Sequence, residues 1–248
     1  DRAQSDLRNR NRVVGVGDRY DYNYEFDADV INGFAQAQFK TRLIDFYLGG
    51  NLTQTSYQRN GLYENGYFPG EGRTGSFGQS DKLEFTNYGG KGGFTFKIDG
   101  RNLIDVNGTY FTKAPTIRNS FANARQNNRT ISQLIQAESS LGGELESEKI
   151  QSIDASYILR TPNLKARLTG YYTKIEDATD IAFFFTQAIS GSDAGFVQEV
   201  LTDIDKKHLG AELGIEYQIT PTIKLKGAAA IGQYTYDNNP DLFVTSTS

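Results

Sequence analysis

The chain has 248 residues, 26 Lys+Arg against 30 Asp+Glu, one His, and no Cys, Met or Trp. The near-neutral balance excludes the concentrated basic surface that nucleic acid demands. Without Cys there are no disulfides, zinc–thiolate sites or thiol catalysis, and one His cannot build a His-based metal cluster. No run of about 18 apolar residues occurs, so no helix spans a membrane, while a β-barrel with alternating strands stays open. The 26 Gly, 15 Tyr and 16 Phe beside 5 Pro point to β-structure. With no initiator Met and no signal peptide, Asp1 reads as a processed or trimmed start, and the chain as a piece of a larger one.

Residues 1–29 read as a loop leading into the first strand. Strands 30–41 and 44–57 follow, with Ala35, Ala37 and Phe39, then Phe46, Leu48 and Leu52, on one face. Strand 86–98 sets Tyr88, Phe94, Phe96 and Ile98 against Asn87, Lys91, Thr95 and Lys97. Strand 103–112 sets Ile104, Val106, Gly108 and Tyr110 against Asp105, Asn107 and Thr109. Strands 149–160 and 164–175 continue the pattern, with Asp154 and Arg167 on their polar faces. In 208–219 every odd residue from Leu209 to Ile219 is apolar, and the even ones, Glu212 and Glu216 among them, are polar or small. The eighth strand follows the turn at Thr220-Pro221. Period-two alternation over eight segments, within 30–237, predicts an all-β antiparallel sheet. Residues 238–248 read as the start of the next outer loop.

The connections alternate in length. Four are short, around Thr41–Ile44, Asp99–Asn102, Thr161–Asn163 and Thr220–Pro221; three are long, roughly 58–82, 113–148 and 178–205. Short–long alternation is the habit of up-and-down membrane barrels, with short turns on the periplasmic side and long loops outside. Tight turns would place Lys40 opposite Asp45, Lys97 opposite Asp105 and Glu216 opposite Lys224, favourable cross-strand pairs. Arg160 opposite Lys165 breaks the rule. The competing reading is a soluble sheet with ordinary surface pairs.

Within the loops, Gly70–Gly75 matches G-x-G-x-x-G but lacks the strand before and helix after it that nucleotide binding needs. The run Gly89–Gly93 marks close backbone approach or curvature within a strand. Asp237–Asp241 reads as a turn rather than a calcium loop. The letters of a glycosylation sequon at Asn51, Asn107 and Asn128 carry no glycosylation. Helical spacing of Phe196, Val197, Val200, Leu201 and Ile204 predicts a short helix over 194–204. Weaker spacing of Ile131, Leu134 and Ile135 predicts another over 131–141. No Ser/His/Asp set or acid–base pair of carboxylates emerges, so neither an enzyme nor a cofactor is expected.

Phe34-Ala35-Gln36-Ala37-Gln38-Phe39-Lys40 resembles a strand common in TonB-dependent outer-membrane receptors. So do Phe111–Thr116, Ser147–Ile150 with Ala155-Ser156-Tyr157, and Gly170–Lys174. The resemblance spans about 20–248 and is strongest from Phe85 to Pro240. It implies a bacterial outer-membrane transporter with a barrel of about 22 strands enclosing an N-terminal plug. Such receptors take up scarce ligands (siderophores, cobalamin, glycans or peptides) using energy relayed by TonB through a box ahead of the plug. Some work with a surface lipoprotein. The eight strands would be an internal or near-C-terminal piece of such a barrel. Its partners would be outer-membrane lipid, its own plug, the TonB complex through a preceding region, and in some members the lipoprotein.

On that reading the apolar faces meet lipid, with Tyr157, Tyr172 and Tyr217 as interfacial anchors. Lys91, Asp105, Asp154, Arg167, Glu212 and Glu216 line the lumen against plug or solute. Outer-loop residues Tyr57, Tyr63, Tyr67 and Phe68 are candidates for stacking on a sugar or aromatic ligand, and Arg118, Arg125 and Arg129 for anionic groups. For each of these, ordinary loop packing or a solvated charge is the competing reading. Two other classes stay open: a passive porin or adhesin barrel, and a soluble β-rich carbohydrate-binding module.

Overall fold

The computed structural model describes residues 2–138, 143–186 and 195–246. The long strands are β1 (Tyr24–Lys40), β2 (Ile44–Gly61), β4 (Leu83–Lys97), β5 (Asn102–Lys113), β6 (Glu148–Arg160), β7 (Leu164–Thr186), β8 (Gly195–Gln218) and β9 (Lys224–Tyr236). A two-residue β3 (Gly78–Gln79) pairs with β2, and β10 (Asp241–Ser246) pairs with β8. Every pairing is antiparallel and between chain neighbours, apart from the β3 and β10 additions, so the sheet is a meander whose edges, β1 and β9/β10, do not meet.

The register carries the alternation across the whole sheet. One row runs Ile44, Phe96, Ile104, Tyr157, Leu168, Leu213 and Ala229 on adjacent strands. The next runs Phe39, Phe46, Phe94, Val106, Ala155, Gly170, Ala211 and Ile231. No polar residue interrupts either row. Phe39 and Phe46 stack with ring centroids 4.8 Å apart. Leu168 is 52% exposed and Ile231 76%, so this apolar face has no protein covering it. Above the row of Ile153, Tyr172 and Leu209 it turns polar, at Gln151, Lys174 and Lys207. From Leu209 to Tyr217 the band spans about 27 Å along the strand, at roughly 3.4 Å per residue.

Each short turn is closed by the side chain that opens it. Thr41, Thr161 and Thr220 accept at Oγ1 from the amides of Ile44, Leu164 and Ile223, at 3.0, 2.9 and 3.0 Å. Asp99 does the same for Asn102, at 2.8 Å. These are the Asx and Ser/Thr turns that sequence composition favours. The Arg101 amide, then the Asn102 side chain and amide, hold the Asp99 carboxyl below its ordinary range.

Several expectations change. Residues 195–204 form strand, not helix, and the 178–205 connection is largely the paired outer extension of β7 and β8. Val197 and Val200 point to opposite faces, yet both are buried, as is Ile204. A strand covered on both sides has apolar residues at every spacing, which mimics a helical period. Residues 187–194, including the start of the expected helix, lie outside the described residues. α1 does form at Ile131–Glu138, and 139–141 fall outside the described residues. β1 begins at Tyr24 rather than within strand 30–41, and the 238–248 tail contains β10 instead of opening a loop.

The pair expected between Lys97 and Asp105 is shifted. The turn centres on Gly100, with the Ile98 amide donating to the Asn102 carbonyl and Lys97 facing Leu103, so Asp105 faces Thr95, whose Oγ1 donates to it at 2.7 Å. Lys97 instead reaches Asp45 at 2.6 Å. Lys40 does face Asp45, and Arg160 does face Lys165. Lys165 also approaches Glu216, at 3.5 Å. Glu216 pairs in register with Lys226, and Lys224 reaches it from one row away at 3.0 Å.

Candidate functional site

The candidate side chains fall in two regions: the polar face of the sheet and a cap of long connections at its far end. Lys91, Asp105, Asp154, Arg167, Glu212 and Glu216 all fall on the polar face by register, as alternation predicted. Asp105, Asp154 and Arg167 form one patch. Asn107 Nδ2 donates to both carboxylates, at 3.2 and 3.1 Å, and Arg167 stands 3.8 Å from Asp105 while donating to Ser156 Oγ. Beside it a recess of about 730 Å³ is lined by Asp154, Arg167, Thr169, Tyr171, Glu212, Gly214 and Ala228–Ala230. Among the described residues no group of three or more His, Cys, Asp or Glu is placed to hold a metal.

The cap is built on the polar-face side of β1, β2 and β4, beyond the apolar band. Phe26, Tyr57 and Phe85 from the strands pack with Phe121, Ile131, Leu134 and Leu145 from the connection between β5 and β6. Val200 and Ile181 join from the β7–β8 extension. Arg59 lies at the centre, 1% exposed. Its Nε donates to the Ala124 carbonyl at 2.7 Å, its Nη1 to the Ser76 carbonyl at 3.0 Å and to Asn128 Oδ1, and its guanidinium lies 4.9 Å from the Tyr24 ring. Burial pushes the Arg59 pKa down to about 10. Asn128 completes the hub, donating to the carbonyls of Gly72, Phe77 and Gly78 at 2.9 to 3.1 Å. Gly61 lets the loop approach: a Cβ there would sit 1.8 Å from the Ser76 carbonyl oxygen.

The outer-loop candidates sort by what already occupies them. Tyr57 is part of the cap core, 6.1 Å from Phe85 between ring centroids, and burial raises its hydroxyl pKa. Tyr63 accepts from Arg12 Nη1 at 2.7 Å, with that guanidinium 4.9 Å from its ring. Tyr67 is 51% exposed, whereas Phe68 is half-buried and its carbonyl accepts from Ser76. Arg118 and Arg125 are exposed, Arg125 lying 5.7 Å from the Tyr22 ring, and Arg129 is half-buried. The structure does not gather these seven residues into one pocket; Tyr57 and Tyr63 are engaged in packing within the cap and with the 2–23 segment. Arg59 and Asn128 are the cap residues that sequence reading passed over. An Arg within a strand pattern gives no sign of burial, and Asn128 registers only as a sequon.

Beneath the cap on β4, Asn87 is 3% exposed, and neither side-chain amide atom has a partner among the described residues. A buried polar group left unpaired costs about 1–3 kcal/mol. Asn87→Leu, similar in volume, is therefore expected to raise stability by about 1 kcal/mol in urea unfolding; a loss would mean the amide has a partner.

No protein-family model matches the chain, and no curated protein matches it. Among solved structures, the chain is similar to one described as "Copper transporter OprC", with TM-score 0.60 and 15% sequence identity. The match covers 86% of this chain and 30% of that one. At that identity the likeness is one of fold. It matches this open antiparallel meander to part of a longer chain. This chain spans less than a third of that neighbour's length.

Proposed function

We propose that the chain is part of the wall of a bacterial outer-membrane transport barrel of the TonB-dependent kind. The observation that carries this reading is the apolar band, unbroken from β1 to β9 and exposed along its length. In water such a face would drive association, since soluble proteins rarely expose contiguous apolar patches beyond a few hundred Å². In a bilayer it is the surface that lipid needs. Its span fits the roughly 25 Å apolar belt of outer-membrane barrels.

The polar face then lines an aqueous lumen, where Lys91, Asp105, Asp154, Arg167, Glu212 and Glu216 meet a plug or a passing solute. The short turns lie in the periplasm and the cap faces outward, over the lumen side of β1–β5. Capture of a ligand falls to the exposed rim of the cap, with Tyr67, Arg118 and Arg125 available to it. Copper is the cargo named for the neighbour and is not carried over to this chain. The proposed partners are outer-membrane lipid, a plug, the TonB complex and a surface lipoprotein.

The test uses the intact protein in cells. It is expected to fractionate with the outer membrane and to cross-link to TonB. Outer-membrane location without any TonB cross-link would favour a passive barrel. A protein recovered in the soluble fraction would overturn both.

A further inference from the structure

On the polar face, register places Tyr171, Gly210 and Gly232 side by side on β7, β8 and β9. One row further from the short turns, His208 faces Tyr234. Neither glycine has a side chain to hold Tyr171 upright, and the tyrosine leans across both. A Cβ at Gly210 would lie 2.5 Å from Tyr171 Oη and 2.6 Å from its Cζ, and one at Gly232 would lie 2.9 Å from Tyr171 Oη. Tyr234 leans over Gly232 from the other side, with its Oη and Cε2 at 3.1 and 3.2 Å from the same point. The two hydroxyls meet at 2.8 Å, and His208 braces Tyr234 edge-on at 4.9 Å between centroids. The result is a low aromatic shelf two rings wide, pinned at the hydroxyls, with Tyr234 65% exposed.

The shelf opens onto the recess described above. Thr169 and Glu212 stand on the adjacent row toward the short turns. Glu212 makes neither a hydrogen bond nor an ion pair among the described residues. Arg167 retains N–H groups beyond those used on Ser156. A free carboxylate accepts hydrogen bonds, a guanidinium donates them, and a hydroxyl does both. The Arg167 guanidinium disfavours a cation there, and Glu212 with Asp154 disfavours an anion. The complement is a neutral ring with one apolar face and hydroxyls around its edge.

We propose that the Tyr171–Tyr234 shelf, with Glu212, Thr169 and Arg167, is a binding subsite for a sugar ring. The C–H face of the ring lies on the tyrosines, and its hydroxyls donate to Glu212 and accept from Arg167. The subsite depends on the proposed function only in that the polar face must line a water-filled lumen.

The experiment is calorimetric titration of the intact protein in detergent micelles with malto-, cello- and xylotriose. At least one is expected to bind. Tyr171→Ala, Tyr234→Ala and Glu212→Gln are each expected to weaken it about tenfold. Gly210→Ala, whose Cβ would meet both Tyr171 and the Ile231 carbonyl oxygen, displaces Tyr171 without removing a ring and is expected to weaken it as well. Unchanged far-ultraviolet circular dichroism shows which variants are folded, and the glutamine variant, which leaves the shelf intact, keeps the test valid if an alanine variant misfolds. Binding of none of the three sugars would overturn the subsite, as would affinity indifferent to all four substitutions. Competition by tetramethylammonium would also overturn it, showing a cation site instead. Failure here leaves the membrane reading standing if the protein inserts into bilayers; sugar binding by a protein folded in plain buffer would sink the membrane reading alone.

Discussion

Arg59→Met is expected to loosen the cap while the sheet below it stays paired, at a cost of about 3 kcal/mol. Methionine keeps most of the buried volume but removes every donor. The Ala124 and Ser76 carbonyls and Asn128 Oδ1 then lose their partner in a site closed to water. Each orphaned acceptor costs about 1–3 kcal/mol, and relaxation of the loops recovers part of it. Because these acceptors sit on two different connections, the substitution removes one link between the 62–82 loop and the 114–130 segment and leaves those that Asn128 makes to Gly72, Phe77 and Gly78. Arg59→Lys keeps the charge and can serve one or two of the acceptors, so its loss is expected to be smaller. Limited proteolysis reads the difference, with new cuts in both segments for the methionine variant and protected strands throughout. Equal protection of variant and parent would show that the apolar cluster around Phe121 and Leu134 holds the cap without the hub.

The second large effect concerns neighbouring alanines of identical chemistry. Ala228, Ala229 and Ala230 follow one another on β9 and alternate between faces. Ala229 faces Leu213 in the middle of the apolar band, whereas Ala228 faces Gly214 on the polar face, beside the recess. Arginine on the lipid side near the bilayer midplane costs roughly 2–4 kcal/mol, while a luminal arginine stays in water. Ala229→Arg is therefore expected to lower stability in bilayers by that amount, and Ala228→Arg to change it little. Reversible unfolding from lipid vesicles measures both. A soluble protein whose apolar face was an internal core would also reject Ala229→Arg, but it would do so without lipid. The vesicle requirement therefore separates the two.

Much of the sheet was legible because its rule is local. A residue's face follows from its parity within the strand, so the six polar-face groups and the apolar-face tyrosines could be placed without knowing which strand lay next door. Where the rule is not local, reading failed. The shift of Asp105 from Lys97 to Thr95 depends on how Asp99 closes its turn, a matter of two residues that alternation alone does not fix. The outer parts of β7 and β8 looked like loop and helix because cap residues cover a second face. The Arg59 hub joins atoms up to 69 positions apart, between Arg59 and Asn128. Neither residue type nor spacing announces such a contact. The same holds for the tyrosine shelf, whose glycines lie on β8 and β9 and whose rings come from β7 and from the next row of β9.

The abundance of glycine and tyrosine has a physical place in the fold. Glycine serves the close approach at Gly61 and the shelf at Gly210 and Gly232. Tyrosine divides between the apolar-face rows, with Tyr157, Tyr172 and Tyr217, and the polar-face shelf.

The central claim is that one face of this sheet meets lipid and the other meets water. Nitroxide labels placed one at a time along 209–217, in the intact protein in lipid vesicles, test it most directly. The account predicts that labels at 209, 211, 213, 215 and 217 collide with oxygen dissolved in the bilayer. Labels at 210, 212, 214 and 216 should collide instead with a water-soluble nickel chelate. Accessibility without a period of two, or the same water accessibility on both faces, would contradict it.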